Sequence, residues 1–305
     1  MIEPRIPGFH YRSLPGTDGV ALNTAVGGSG PPVVLLHGFP QTHLMWRLVA
    51  TALADQHTVI CPDLRGYGAS DKPVATSADT YSKRTMATDI VVAAADLGFD
   101  TFAVIGHDRG ALVAIRMGLD HPDIITHVGI LDVLPTLDMW GVLHGVDAAV
   151  AWHLYLMAQP PGLPEQMIAA TAEKFFGSFL DGWGADEQTM PADVREHYLR
   201  ACAGAVDSIV ADYRASAGID LEHDKADRAA GRTLRMPVTA VQQDWGAQLG
   251  FDGAALWQAW CQDLDYRLVK SGHFMAEQAP GEIIGIITDL LSRHTDAIDR
   301  GLHGL

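Results

Sequence analysis

Apolar positions along the chain follow two periods, and the points where one gives way to the other outline the fold. Tyr11 to Leu14 and Val20 to Val26 alternate apolar with polar around Pro15-Gly16-Thr17-Asp18-Gly19, the pattern of a hairpin. Pro31 to Leu36 is a continuous apolar run of strand length, which suits a parallel strand buried on both faces. Helical spacing follows from Leu44 to Leu53, then a short strand from Thr58 to Cys61 that ends at Pro62. The alternation continues through a helix over Thr85 to Leu97, a strand over Phe102 to Ile105, a helix over Ala111 to Leu119 and a strand over Val128 to Leu131. Strand and helix in turn predict a parallel sheet flanked by helices.

After Pro135 the alternation stops. From about Leu137 to Gly231 the pattern is helical, with aromatic residues and loops such as Asp181-Gly182-Trp183-Gly184, and shows no buried strand. The sheet resumes at Pro237 to Val241, followed by a helix near Ala254 to Trp260, a strand near Tyr266 to Val269 and a last helix over Gly281 to Leu291. The polar tail beyond His294 reads as loosely held. The expected architecture is α/β: a mostly parallel sheet flanked by helices, with an inserted helical cap. Residues 1–134 and 232–305 form the two parts of the core, and 135–231 form the cap.

The sharpest local signal is Val104-Ile105-Gly106-His107-Asp108-Arg109-Gly110, where a strand must turn directly into a helix. The glycines permit the tight corner, and Asp108 at its apex faces the N–H groups and positive dipole end of the helix. In the better-known version of this corner the apex residue is serine, which needs a base to activate it. A carboxylate is already ionised at pH 7 and can displace a leaving group from a saturated carbon. In an open parallel sheet, ligands bind beyond the carboxyl ends of the strands. His37, Asp108 and Asp132 all fall at such ends, and His273 follows the last strand in Lys270-Ser271-Gly272-His273-Phe274.

Composition narrows the partners. The 305 residues carry a net charge of −16, from 21 basic and 37 acidic side chains, without a basic run, which argues against nucleic-acid or anionic-membrane partners. A small-molecule substrate is expected instead. The start Met1-Ile2-Glu3-Pro4 lacks a signal-peptide pattern and no apolar stretch approaches a membrane span, so a cytoplasmic location is expected. Cys61, Cys202 and Cys261 are far apart and form no metal-ligand spacing. They read as buried free thiols, with no metal and no cofactor.

His37-Gly38-Phe39-Pro40, Asp63-Leu64-Arg65-Gly66-Tyr67-Gly68 with Ser70, Gly106-His107-Asp108-Arg109-Gly110 and Ser271-Gly272-His273-Phe274 together resemble the α/β-hydrolase superfamily, in the branch whose nucleophile is an aspartate. That branch holds epoxide hydrolases and dehalogenases. Leu131-Asp132-Val133-Leu134-Pro135-Thr136, Trp152-His153-Leu154-Tyr155, Gly182-Trp183-Gly184-Ala185 and Asp212-Tyr213-Arg214-Ala215 further resemble the haloacetate (fluoroacetate) dehalogenases.

The resemblance implies a hydrolase of small, haloacetate-like 2-haloacids in which Asp108 attacks the halogen-bearing carbon, with the resulting ester cleaved by water that His273 activates and Asp132 supports as the acid. Asp244, after the next strand, occupies a second position from which hydrolases supply that acid, and both remain open. Backbone N–H groups of Phe39 and Arg109 would meet the oxyanion. His37 and His107 read as loop-holding residues, and Trp183 as a substrate contact or a packed cap residue. In the resembled family two arginines hold the substrate carboxylate; here Arg109 fills the first position and Leu112 the second. His153 and Tyr213 match the halide donors, while the tryptophan position holds Leu154. The two leucines place C–F cleavage in question. They also keep open an epoxide hydrolase with Tyr155 and Tyr213 as proton donors, and a non-catalytic ligand binder. A homodimer is compatible with the sequence.

Overall fold

The computed structural model describes residues 3–243 and 249–293. Among them an eight-stranded sheet forms the centre, in the order β1-β2-β4-β3-β5-β6-β7-β8. Strands β1 (His10–Pro15) and β2 (Ala21–Gly28) make the expected antiparallel hairpin, and β2 pairs antiparallel with β4 (Thr58–Pro62). From β4 through β3 (Pro32–Leu36), β5 (Phe102–His107), β6 (Ile125–Leu131), β7 (Leu234–Gln242) and β8 (Cys261–Leu268) every pairing is parallel. Parallel strands need crossovers, and the helices that supply them cover both faces. They are α1 (Arg47–Leu53), α2 (Lys83–Asp96) and α3 (Arg109–Asp120), with three more after the insert described next. Every residue of β5 is buried, as its unbroken apolar run requires.

Between β6 and β7 the chain forms α4 (Thr136–Val142), α5 (Trp152–Met157), α6 (Leu163–Ala169), α7 (Ala172–Gly182), α8 (Ala192–Ala203), α9 (Val206–Ser216) and α10 (Ile219–Ala229). The sheet then closes with β7, α11 (Gly253–Gln258), β8, α12 (Met275–Gln278) and α13 (Pro280–Ser292). Strand β8 starts at Cys261, well before the expected Tyr266. It is an edge strand whose Gln262 and Asp263 are exposed, so its first half carries no apolar signal. The polar tail beyond His294 and Asp244 both lie outside the described residues.

The insert is fastened to the core by buried charges as well as apolar packing. Asp212 on α9 is fully buried; its Oδ2 accepts from Arg109 Nε at 2.8 Å and from the Tyr67 hydroxyl at 2.6 Å. Its Oδ1 accepts from Lys83 Nζ. Burial opposes the charge on Asp212, but Arg109 and Lys83 overcome that penalty and hold the carboxyl well below its ordinary range. Asp220 joins the cluster, with Lys83 Nζ at 3.7 Å from Oδ2 and the Lys83 N–H donating to Oδ1 at 2.8 Å. Two cations and two anions thus balance in the seam. A second seam joins Glu277 on α12 to Arg47, to Gln41 at 2.5 Å and to the Tyr198 hydroxyl of the insert at 3.1 Å.

Removing one partner from such a cluster leaves uncompensated buried charge, which costs about 3–5 kcal/mol. Asp212→Ala should therefore lower the urea midpoint by an amount equivalent to that loss. A change below about 1 kcal/mol would mean that packing alone secures the insert.

Candidate active site

The corner predicted between β5 and α3 is present. Asp108 sits at φ 47° and ψ −116°, a conformation that L residues rarely occupy. Its N–H donates to the Leu131 carbonyl at 3.0 Å, which ties the corner to the end of β6. Gly110 is needed because a Cβ there would lie 2.4 Å from the His37 carbonyl oxygen. Gly38 lets the β3 loop come close, since a Cβ would fall 2.6 Å from that of Asp108. This approach brings the Phe39 N–H to Asp108 Oδ1 at 2.8 Å.

Asp132, the residue after β6, has φ 53° and turns its carboxylate toward the loop after β8. His273 Nδ1 lies 2.7 Å from Asp132 Oδ2. Gln243 completes the cradle: its N–H donates to Oδ1 at 3.2 Å and its side-chain amide to Oδ2 at 2.7 Å. An ionised carboxylate only accepts, so Nδ1 carries the proton and His273 Nε2 presents a lone pair. That Nε2 is buried without a protein partner among the described residues. Burial by itself would lower the His273 pKa; the hydrogen bond and charge of Asp132, with the charge of Asp108, more than reverse this and hold it above 6.5.

Asp108, Asp132 and His273 line one cavity of about 800 Å³ with His153, Leu154, Trp183 and Gln243. Its remaining wall is mainly apolar, from Leu134, Met139 and Leu143 to Val150 and Leu268. Trp183 packs on the His273 ring at 4.6 Å between centroids and on His153 at 5.4 Å. His153 lies nearly parallel to Phe39 at 6.0 Å. Its Nδ1 has no partner among the described residues, and burial lowers its pKa to about 3, so it is a neutral ring. Tyr213 stands edge-on to His153 at 5.7 Å, and its hydroxyl has no hydrogen-bond partner among the described residues. Burial, then the charge of Asp108, raises its pKa well above 10.0, so it remains a donor.

Tyr213 and the other sequence candidates lie off this lining. Arg109 is buried, with Nε and Nη2 committed to Asp212 and Nη2 also donating to Ser216 Oγ at 2.7 Å; its guanidinium stacks on Tyr213 at 4.1 Å. Leu112, one turn further along α3, borders a small cleft with Lys83, Arg116 and Asp220. Phe39 meets Asp108 through its backbone. Tyr155 is displaced from the role considered for it, because two helical residues after His153 it faces the opposite side of α5. Its hydroxyl donates to the Leu143 carbonyl at 2.6 Å.

His37 and His107 hold loops. His37 Nε2 accepts from the Leu64 N–H at 3.0 Å, and His107 Nε2 donates to the His273 carbonyl at 2.8 Å. Gln243 was not singled out in the sequence, although the strand-end rule that draws attention to Asp244 applies equally to its neighbour. The three cysteines are buried and free. Among the described residues no cluster of His, Cys, Asp or Glu could hold a metal, and no helix is long and apolar enough to cross a membrane.

Residues 31–280 match the model of the alpha/beta hydrolase fold family. A fluoroacetate dehalogenase from Burkholderia sp is 37% identical over 93% of this chain and 94% of its own. A soluble epoxide hydrolase from Corynebacterium sp. (strain C12) is 32% identical over 90% and 94%. Among solved structures, a "putative epoxide hydrolase" from Pseudomonas aeruginosa is 39% identical with a TM-score of 0.89, over 95% of this chain and 97% of that one.

The geometry around His273 makes a measurable claim. In NMR titrations of the intact protein its imidazole should lose its proton above pH 6.5, and in Asp132→Asn the midpoint should move lower because burial is then less opposed. An unshifted midpoint would remove Asp132 as the group that sets the base.

Proposed function

This chain belongs to the α/β-hydrolase family, and from that premise we propose that it hydrolyses carbon–halogen bonds in haloacids, of which haloacetate is the smallest. The observation that carries the reading is the disposition of Asp108. One carboxylate oxygen is held by the Phe39 N–H, while the side chain shares the cavity with an unpartnered His273 Nε2.

Oδ2 of Asp108 attacks the carbon in line; a C–O bond forms as the C–X bond breaks, and halide departs with the electron pair. Tyr213 and His153 donate hydrogen bonds to the leaving halide. Water then attacks the carboxyl carbon of the ester while His273 Nε2 takes its proton, and Asp132 stabilises the imidazolium. The Phe39 N–H already rests on the oxygen that becomes the oxyanion, which is the geometric requirement for such stabilisation. The Arg109 N–H, at the start of α3 and without a helical partner, is the second donor. Collapse returns the proton to the departing alcohol and leaves one water oxygen on Asp108. The reaction needs no cofactor, and the proposed location is the cytoplasm.

A second reading is favoured by the same donors. Asp108 would open an epoxide while Tyr213, assisted by His153 in place of Tyr155, protonates the ring oxygen. Leu154 removes one N–H donor from the leaving-group side, which harms fluoride most because it depends most on strong hydrogen bonds.

Two measurements test this. Halide release should follow bromoacetate above chloroacetate, with fluoroacetate lower by about a hundredfold or more, equivalent to about 3 kcal/mol of barrier. Diol formation from styrene oxide without release of any halide would replace the first reading with the second. His273→Asn should accumulate the Asp108 ester, seen as a mass increase equal to the substrate less halide, and Asp108→Asn should show none. Full turnover in either variant would overturn the covalent route.

A further inference from the structure

The cavity is much larger than a haloacetate requires, and its charges are unevenly placed. A volume of about 800 Å³ lies within the range of roughly 300–1,000 Å³ that holds drug-sized ligands. Asp108 and Asp132 occupy the reactive end. Arg109, which directly follows Asp108, is already paired with Asp212, in a cluster that Lys83 and Asp220 complete. A carboxylate beside the reacting carbon would therefore face two anions and little free positive charge.

The opposite situation holds at the entrance. Lys270 lines the same cavity, is exposed, and among the described residues has neither an ion-pair nor a hydrogen-bond partner. Among the described residues it is the only lysine or arginine on the wall. Leu268 and Val150, 53% and 52% exposed, flank the opening with apolar surface. Lys270 precedes His273 by three residues, so its backbone lies at most about 10 Å from that of His273, and its long side chain adds reach.

We propose that Lys270 is an anion-binding subsite for an elongated amphiphilic substrate, whose acid group stays at the cavity mouth while an apolar chain carries the electrophilic carbon to Asp108. This deepens the haloacid reading and rests on it for the identity of the electrophile. Leu134, Met139 and Leu154 receive the chain, and a compact cation at the water-exposed rim can pair with a carboxylate at a smaller desolvation cost than in the interior. In these longer haloacids the acid lies at the far end of the substrate from the halogen; a haloacetate, whose acid sits beside the reacting carbon, is too short to reach Lys270 and is turned over without its help.

The test uses ω-bromooctanoate and n-octyl bromide as matched substrates for the full chain. Wild type should favour the acid, and Lys270→Met should reduce the acid-to-neutral ratio of kcat/KM at least tenfold, mainly through KM, with Lys270→Arg restoring it. An unchanged ratio overturns the subsite. Isothermal titration with octanoate and octan-1-ol supplies a readout independent of turnover. Lys270→Met should weaken octanoate at least tenfold relative to octan-1-ol, and equal effects would overturn the proposal. If no halide is released from either bromide but octanoate binding depends on Lys270, the haloacid chemistry fails while the subsite stands.

Discussion

The left-handed turn at Asp108 is the constraint around which the site is arranged. A strand ends and a helix begins within one residue, so the apex side chain cannot fold back into either element and is left above the helix start. Such a backbone costs free energy, and the surrounding structure must hold it: the Asp108 N–H is tied to Leu131, and glycines at 38 and 110 allow neighbouring backbone to close around it. Asp132 repeats the device at the end of the adjacent strand. Two aspartates in strained conformations, at the carboxyl ends of neighbouring parallel strands, are thereby turned to the same side of the sheet.

Arg109 illustrates how position along the chain differs from availability. It directly follows the apex residue, yet its guanidinium is drawn into the seam beneath α9, where Asp212 collects three donors from the core. An interior ion cluster that locks the insert in place thus also withdraws positive charge from the reactive end of the cavity. Anchoring of the insert and the carboxylate grip that the resemblance implies for Arg109 draw on the same side chain. The structure resolves that competition in favour of the seam.

What remains around the cavity is a set of neutral donors on the insert and a long apolar wall. Burial keeps the lining His153 a neutral imidazole and the Tyr213 behind it a neutral phenol, so each has a hydrogen to donate without presenting a fixed charge. Such donors suit a departing halide or an opening epoxide alike. On the proposed function, selection between substrates falls to the wall and its rim, not to the end that holds Asp108 and His273.

The sequence by itself determined the succession of strands and helices along the chain, the corner at Asp108 and the gathering of Asp132 and His273 at the strand ends, because these follow from short-range periodicity, glycine positions and the chain order of a parallel sheet; the order of the strands within the sheet came only with the fold. It could not mark the start of β8, since an edge strand half in solvent loses the apolar pattern that reveals a buried one. Nor could it choose between Asp132 and Asp244: each follows a strand, and only the folded loop shows His273 Nδ1 against Asp132. Tertiary structure alone decided that Arg109 is spent on Asp212, that Leu112 faces a different cleft, that Tyr155 points away, and that Gln243 and Lys270 join the cavity. Those outcomes depend on which distant groups compete for a side chain, and long-range competition leaves no periodic trace along the chain.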